Sequence, residues 1–130
     1  MNARTVVATP GAPSPVGPYS QGVQLGPWVW TSGQVGLDPE TGRIDGADAA
    51  AQADRALRNI EAILQAAGAR LQDVVRTTVF LADMDDFAAV NAVYARYFTS
   101  GFPARACVQV VRLPLGARVE IDALAVRAGS

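Results

Sequence analysis

Two residues late in the chain, Arg105 and Glu120, carry side chains that do chemistry at close quarters. A guanidinium presents a planar fork that grips a carboxylate through two parallel hydrogen bonds. A carboxylate takes a proton from water or orients that water for attack. Each also has a plainer reading, as an exposed strand arginine in an ion pair and an exposed strand acid. Cys107 fits a nucleophile or, more simply, a small buried hydrophobe whose backbone N–H matters more than its sulfur. Tyr19 follows Gly17-Pro18 and either reaches its hydroxyl over a pocket or packs at a rim. Ser32-Gly33-Gln34 interrupts an apolar strand, where a glycine marks a bulge or a close approach of backbone to a ligand.

Absences narrow the chemistry further. The chain has no histidine, no lysine and one cysteine, and all eleven basic residues are arginine. Without histidine there is no Ser-His or Cys-His pair. Without lysine no Schiff base forms, so pyridoxal phosphate has no covalent anchor. Ordinary zinc sites need more cysteine or histidine than this. No glycine-rich phosphate loop is present. Any reaction must run on carboxylates, arginine, tyrosine, serine and the backbone.

The 130 residues suit one domain, 1–130, and half of them are apolar, enough for a core. A domain this small keeps much of its surface exposed, and association would help it. The net charge of −1 argues against an electrostatic grip on nucleic acid or on an anionic membrane. No apolar run reaches the roughly 18 residues of a membrane span, and residues 1–10 lack a signal-peptide core. A single thiol fits a reducing compartment, so the expected location is the cytoplasm.

Local pattern supplies the scaffold. Residues 4–8, 19–25, 28–35, 74–82, 105–112 and 118–127 read as six strands. Gly26-Pro27 is a hairpin turn, and residues 38–42 form a second turn. Ala53, Leu57, Ile60, Leu64 and Ala67 recur at helical spacing before Gly68. Asp83 is a helix N-cap, and Phe87, Val90, Tyr94, Tyr97 and Phe98 form the buried stripe of a second helix. Residues 9–18 are a Pro- and Gly-rich loop. The order predicts a two-layer α/β (α+β) domain, with two helices on one face of a mixed six-stranded sheet. Alternation sets Ala106, Val108 and Val110 on one face and Arg105, Cys107 and Gln109 on the other. It likewise separates Val119, Ile121 and Ala123 from Glu120 and Asp122. The polar sets are read as facing away from the helices, toward water, ligand or another subunit. Spacing does not decide whether the last two strands pair directly.

Four separated stretches then carry a resemblance. Ala12-Pro13-Ser14-Pro15-Val16-Gly17-Pro18-Tyr19-Ser20-Gln21, Thr31-Ser32-Gly33-Gln34, Phe102-Pro103-Ala104-Arg105-Ala106-Cys107 and Arg118-Val119-Glu120-Ile121-Asp122 resemble the signatures of the RidA/YjgF family, in its order and spacing. The resemblance implies a chorismate-mutase-like fold and a homotrimer with clefts between subunits. It implies hydrolysis of 2-imino acids, such as 2-iminopropanoate (with its tautomer 2-aminoacrylate) and 2-iminobutanoate, to 2-keto acids and ammonia, with no metal or organic cofactor. It assigns Arg105 to the substrate carboxylate and Glu120 to the attacking water. Tyr19 would line the cleft from a neighbouring chain, Ser32, Gly33 and the Cys107 backbone would hold the substrate, and Asn91 would lie nearby. Three other readings stay open: a non-catalytic trimer that binds small keto acids or acts like a chaperone, an endoribonuclease, and, on fold similarity alone, a chorismate mutase-like rearrangement. The second fits poorly with the missing histidine.

Overall fold

Asp48 starts the first helix by accepting a hydrogen bond from the Ala51 N–H at 2.8 Å. The helix, α1, runs Ala49–Ala66 in the computed structural model, which describes residues 3–128. Its alanine-rich sequence favours the helix, and Gly68, at φ +77°, ends it. Leu57, Ile60, Ile63 and Leu64 are fully buried. Each such side chain contributes about 1.5–3 kcal/mol by leaving water. The second helix, α2, runs Phe87–Tyr97 and buries Val90, Val93 and Tyr94. Asp83 caps a 3-10 turn, Met84–Asp86, that leads into it.

Seven strands form the sheet: β1 Thr5–Val7, β2 Gly22–Leu25, β3 Trp28–Thr31, β4 Gln34–Val35, β5 Val74–Leu81, β6 Ala104–Gln109 and β7 Val119–Val126. Their order is β1-β2-β3-β7-β5-β6, with β4 also paired to β7. Among the described residues only β5 and β6 run parallel, as α2 crosses between them. The sheet is mixed and carries both helices on one face, as the element order predicts. It has seven strands rather than six because the 28–35 run is broken. The Ser32 N–H turns away from β7 and donates to the Gln21 carbonyl at 2.8 Å. Thr31 Oγ1 accepts from the Ala123 N–H at 3.0 Å and fills the gap in the ladder. The hairpin at Gly26-Pro27 and the turn closed by the Gly42 N–H on the Asp38 carbonyl are both present.

The last two strands do not pair. β5 lies between them and bonds to both. Side chains of registered partners share a face. Arg105 is registered with Thr77, whose hydroxyl bonds Tyr94 of α2, and Cys107 with the buried Val79. Arg105, Cys107 and Gln109 therefore point to the helix side, against the expectation from alternation. Glu120 lies between the buried Val119 and Ile121, so it and Asp122 do face away from the helices. That open face also carries Trp28 and Trp30, stacked at 6.2 Å, with Val6 and Val108.

Two buried amides tie loops to this frame. Asn59, fully buried in α1, donates to the Leu37 carbonyl at 2.8 Å and holds the segment after β4. Gln21 accepts from the Thr9 N–H at 2.7 Å and donates to the carbonyls of Thr9, Ala12 and Pro13. One side chain thus replaces the secondary structure that residues 9–18 lack. Gln21→Ala leaves those backbone groups without partners and is expected to cost about 1–3 kcal/mol in urea unfolding. The same variant should be cut by protease within 9–18 far faster than the parent; equal cutting rates would show that the loop is held by other contacts.

Candidate functional site

The guanidinium of Arg105 is built from below. β6 presents it to α2, where Asn91 Oδ1 accepts from its Nη1 at 2.8 Å. Its Cζ lies 4.9 Å from the centre of the Tyr94 ring and 5.6 Å from that of Phe87. The Tyr94 ring is itself fixed, by a 2.8 Å hydroxyl contact with Thr77 and by packing at 4.6 Å on Phe98. Among the described residues no carboxylate forms an ion pair with Arg105. The cation is held by ring faces and a neutral amide, so its charge is not cancelled. Asn91, Tyr94, Phe102, Pro103 and Arg105 line a cavity of about 270 Å³.

Glu120 lines a different cavity, of about 590 Å³, on the open face of the sheet. Tyr19, Gly33, Val35, Leu115 and the turn at Asp38 surround it. The Tyr19 hydroxyl accepts from the Val16 N–H at 3.4 Å and steadies the loop over this cavity. Burial pushes the Glu120 carboxyl above its ordinary range, and the anionic Asp122 on the same strand face pushes the same way. Asp122 in turn accepts from the Thr78 N–H at 3.2 Å. The break after β3 brings Gly33 against the acid so closely that a Cβ there would collide with Glu120 Oε2. Leu115, at φ +59°, sits on the rim in a conformation that costs a branched residue about 1–2 kcal/mol.

The predicted residues thus fall into two groups. Arg105 and Asn91 stand together on the helix side; Tyr19, Gly33 and Glu120 stand together on the other. Ser32 serves the second group indirectly, since its hydroxyl donates to the Ser20 carbonyl and anchors the Tyr19 loop. Cys107 is half-buried against the main core, and burial raises its thiol pKa despite the opposing charge of Arg105. A thiol held protonated is a poor nucleophile, in keeping with the packing reading. Sequence reasoning placed Tyr94 only in a buried helix stripe, and the clue to its second contact was an aromatic residue three positions after Asn91, on the same face of the helix. It gave Asp122 no role, although period-two alternation already set it beside Glu120.

A mixed sheet under two helices, with an arginine lacking an ion-pair partner on one face and a half-buried acid on the other, defines a two-layer α+β protein with a divided polar site. The family profile described as Endoribonuclease L-PSP matches residues 9–127. The chain belongs to the RidA/YjgF family. It is 52% identical over 124 residues to the 2-iminobutanoate/2-iminopropanoate deaminase of Escherichia coli K12, covering 93% of this chain and 96% of that one. The crystal structure of the E. coli YjgF gene product superposes with a TM-score of 0.92 at 50% identity, over 95% and 99% of the two chains. E. coli TdcF, solved with bound serine, superposes with the same score at 46% identity and the same coverage.

The contact at position 33 is the most direct check on this geometry. In a crystal structure of Gly33→Ala, the Glu120 carboxylate should be swung out of its place on the cavity wall. An unmoved carboxylate would mean the backbone at 32–33 has room to shift.

Proposed function

We propose that this chain hydrolyses 2-imino acids, such as 2-iminopropanoate and 2-iminobutanoate, to 2-keto acids and ammonia. The observation that carries the reading is the Arg105 guanidinium, ordered by Asn91, Phe87 and Tyr94 but left without an anionic partner. Such a cation suits a substrate carboxylate, which it would grip in a bidentate way. The E. coli relative at 52% identity bears the name of this activity, and TdcF holds serine, an amino acid with the same carboxylate frame.

In this reading the iminium carbon is already electrophilic, so water needs orientation more than strong activation. Glu120 accepts a proton from the attacking water as the C–O bond forms. The proton passes to nitrogen, the C–N bond breaks and ammonia leaves, while the hydroxyl formed from the water gives its remaining proton to Glu120, and from there to solvent, to become the carbonyl. A carboxyl whose proton affinity is raised by burial is a better base for this than an exposed one. Gly33, the Ser32 segment and the Cys107 backbone would hold the substrate, and Tyr19 would cover it. Every step uses groups present in the chain, and none calls for a metal or cofactor.

In this reading the divided site is completed by a second copy. Through β5, Arg105 registers with Thr77 and Glu120 with Phe80, so within one chain they stand about 10 Å apart along the strands and about 10 Å across. They also point to opposite faces. Yet the reacting carbon is bonded directly to the carboxylate that Arg105 would grip. We therefore assign Arg105 and Asn91 of one protomer and Glu120, Gly33 and Tyr19 of the next to one cleft. A closed homotrimer provides three such clefts, and the exposed tryptophans of the open face suit burial between copies. The same reading takes the chain as one domain working in the cytoplasm; no helix among the described residues is long and apolar enough to cross a membrane. Cleavage of RNA, which the family profile is named for, finds no histidine here for acid-base work and no net basic charge.

An amino acid oxidase that generates imines in situ supplies the assay. Wild-type protein should speed imine decay well beyond buffer; equal rates end the proposal. Arg105→Ala and Glu120→Ala should each be inactive alone, yet regain about a quarter of the wild-type sites when mixed, unfolded and refolded together. No recovery would place both residues in a site within one chain. Asp122→Asn removes the negative charge that raises the Glu120 pKa. The acid limb of its kcat/KM profile should therefore move to lower pH; a limb that stays put assigns the titration to another group.

A further inference from the structure

We infer that Tyr94 is a positioning residue, whose ring face holds the Arg105 guanidinium in the orientation that receives the substrate carboxylate. The inference rests on the proposed role of Arg105 and adds to it a residue with no contact to the substrate. Three observations carry it. The guanidinium carbon stands 4.9 Å from the Tyr94 ring centre, closer than to Phe87. Tyr94 is almost fully buried, while Phe87 is only partly covered, so Tyr94 is the fixed member of the pair. Its hydroxyl is locked to Thr77, which is the register partner of Arg105 itself on β5.

The arrangement closes a loop of contacts. Backbone pairing sets Arg105 beside Thr77, Thr77 fixes the Tyr94 ring, and the ring returns to the guanidinium. Asn91, one helical turn before Tyr94, takes one N–H of the fork and leaves the others free. An arginine commonly held by a carboxylate would be ordered too, but its charge would be spent. A ring face orders the cation without offering a competing acceptor, so the fork meets an incoming carboxylate already aligned. Burial raises the Tyr94 pKa, with the Thr77 bond and the Arg105 charge opposing, so the hydroxyl stays neutral and serves only as an anchor.

Because the carboxylate is gripped alike in the ground and transition states, loosening the guanidinium should raise KM far more than it lowers kcat. The test uses the full-length oligomer with Tyr94→Phe and the same phenylalanine carrying increasing ring fluorination. Tyr94→Phe leaves the buried Thr77 hydroxyl without its partner and should lower the melting temperature once; within the phenylalanine series the rings are nearly isosteric, so melting temperature should then hold while the negative ring face weakens. Tyr94→Phe should keep KM within about threefold. Progressive fluorination should raise KM stepwise to about tenfold, with kcat within about twofold. The Kd for 2-ketobutyrate, measured by calorimetry, should rise in step. A flat KM and Kd across the series, with Arg105→Ala inactive, overturns the role of Tyr94 and leaves that of Arg105 intact. Arg105→Ala with wild-type KM and activity overturns both.

Discussion

An arginine without an acid is the constraint on which the rest of this structure turns. Buried or half-buried cations are usually neutralised by a carboxylate, because desolvation is costly. Here the head of Arg105 rests on two ring faces and one amide oxygen, all from α2. That support comes from the ordinary core. α2 needs an apolar stripe to pack on the sheet, and part of the stripe doubles as the bed for the cation. The packing energy that folds the domain and the order that readies the site are the same contacts.

The second constraint is that a sheet has two sides. β7 sends Val119, Ile121 and Ala123 into the helix-covered core and sends Glu120 and Asp122 the other way. With Arg105 committed to the helix side, no side-chain rotation brings the two together in one chain. The proposed association of copies follows from this parity, and an open face that carries two stacked tryptophans is consistent with it. The acid is prepared by its own surroundings, since a partly dry cavity wall and a neighbouring carboxylate both raise its proton affinity.

Much of this was legible in the sequence. The 53–57–60–64–67 spacing marked α1, and the Gly26-Pro27 turn set the β2–β3 hairpin, because both depend on short-range geometry. The face of β6 was misread for a physical reason. Ala106 and Val108 look like core residues, but they lie on an apolar open face, which alternates just as a core face does. Arg105 looked solvent-bound by type, yet the rings that cover it come from α2, at Phe87 and Tyr94, eighteen and eleven residues earlier. The split of the third predicted strand was hidden because Ser32 finds its backbone partner in Gln21, across a loop with no periodic pattern. The insertion of β5 between the last two strands likewise reflects long-range pairing, which spacing does not encode.

Gly33 and Glu120 occupy one volume between them. Their sizes are therefore coupled: any atom gained at the first must be answered by a turn of the Glu120 side chain, by a shorter residue at the second, or by an opening of the strand break. Retuning the acid in this scaffold, by length or by placement, thus means treating as one unit a pair of positions 87 apart in the chain.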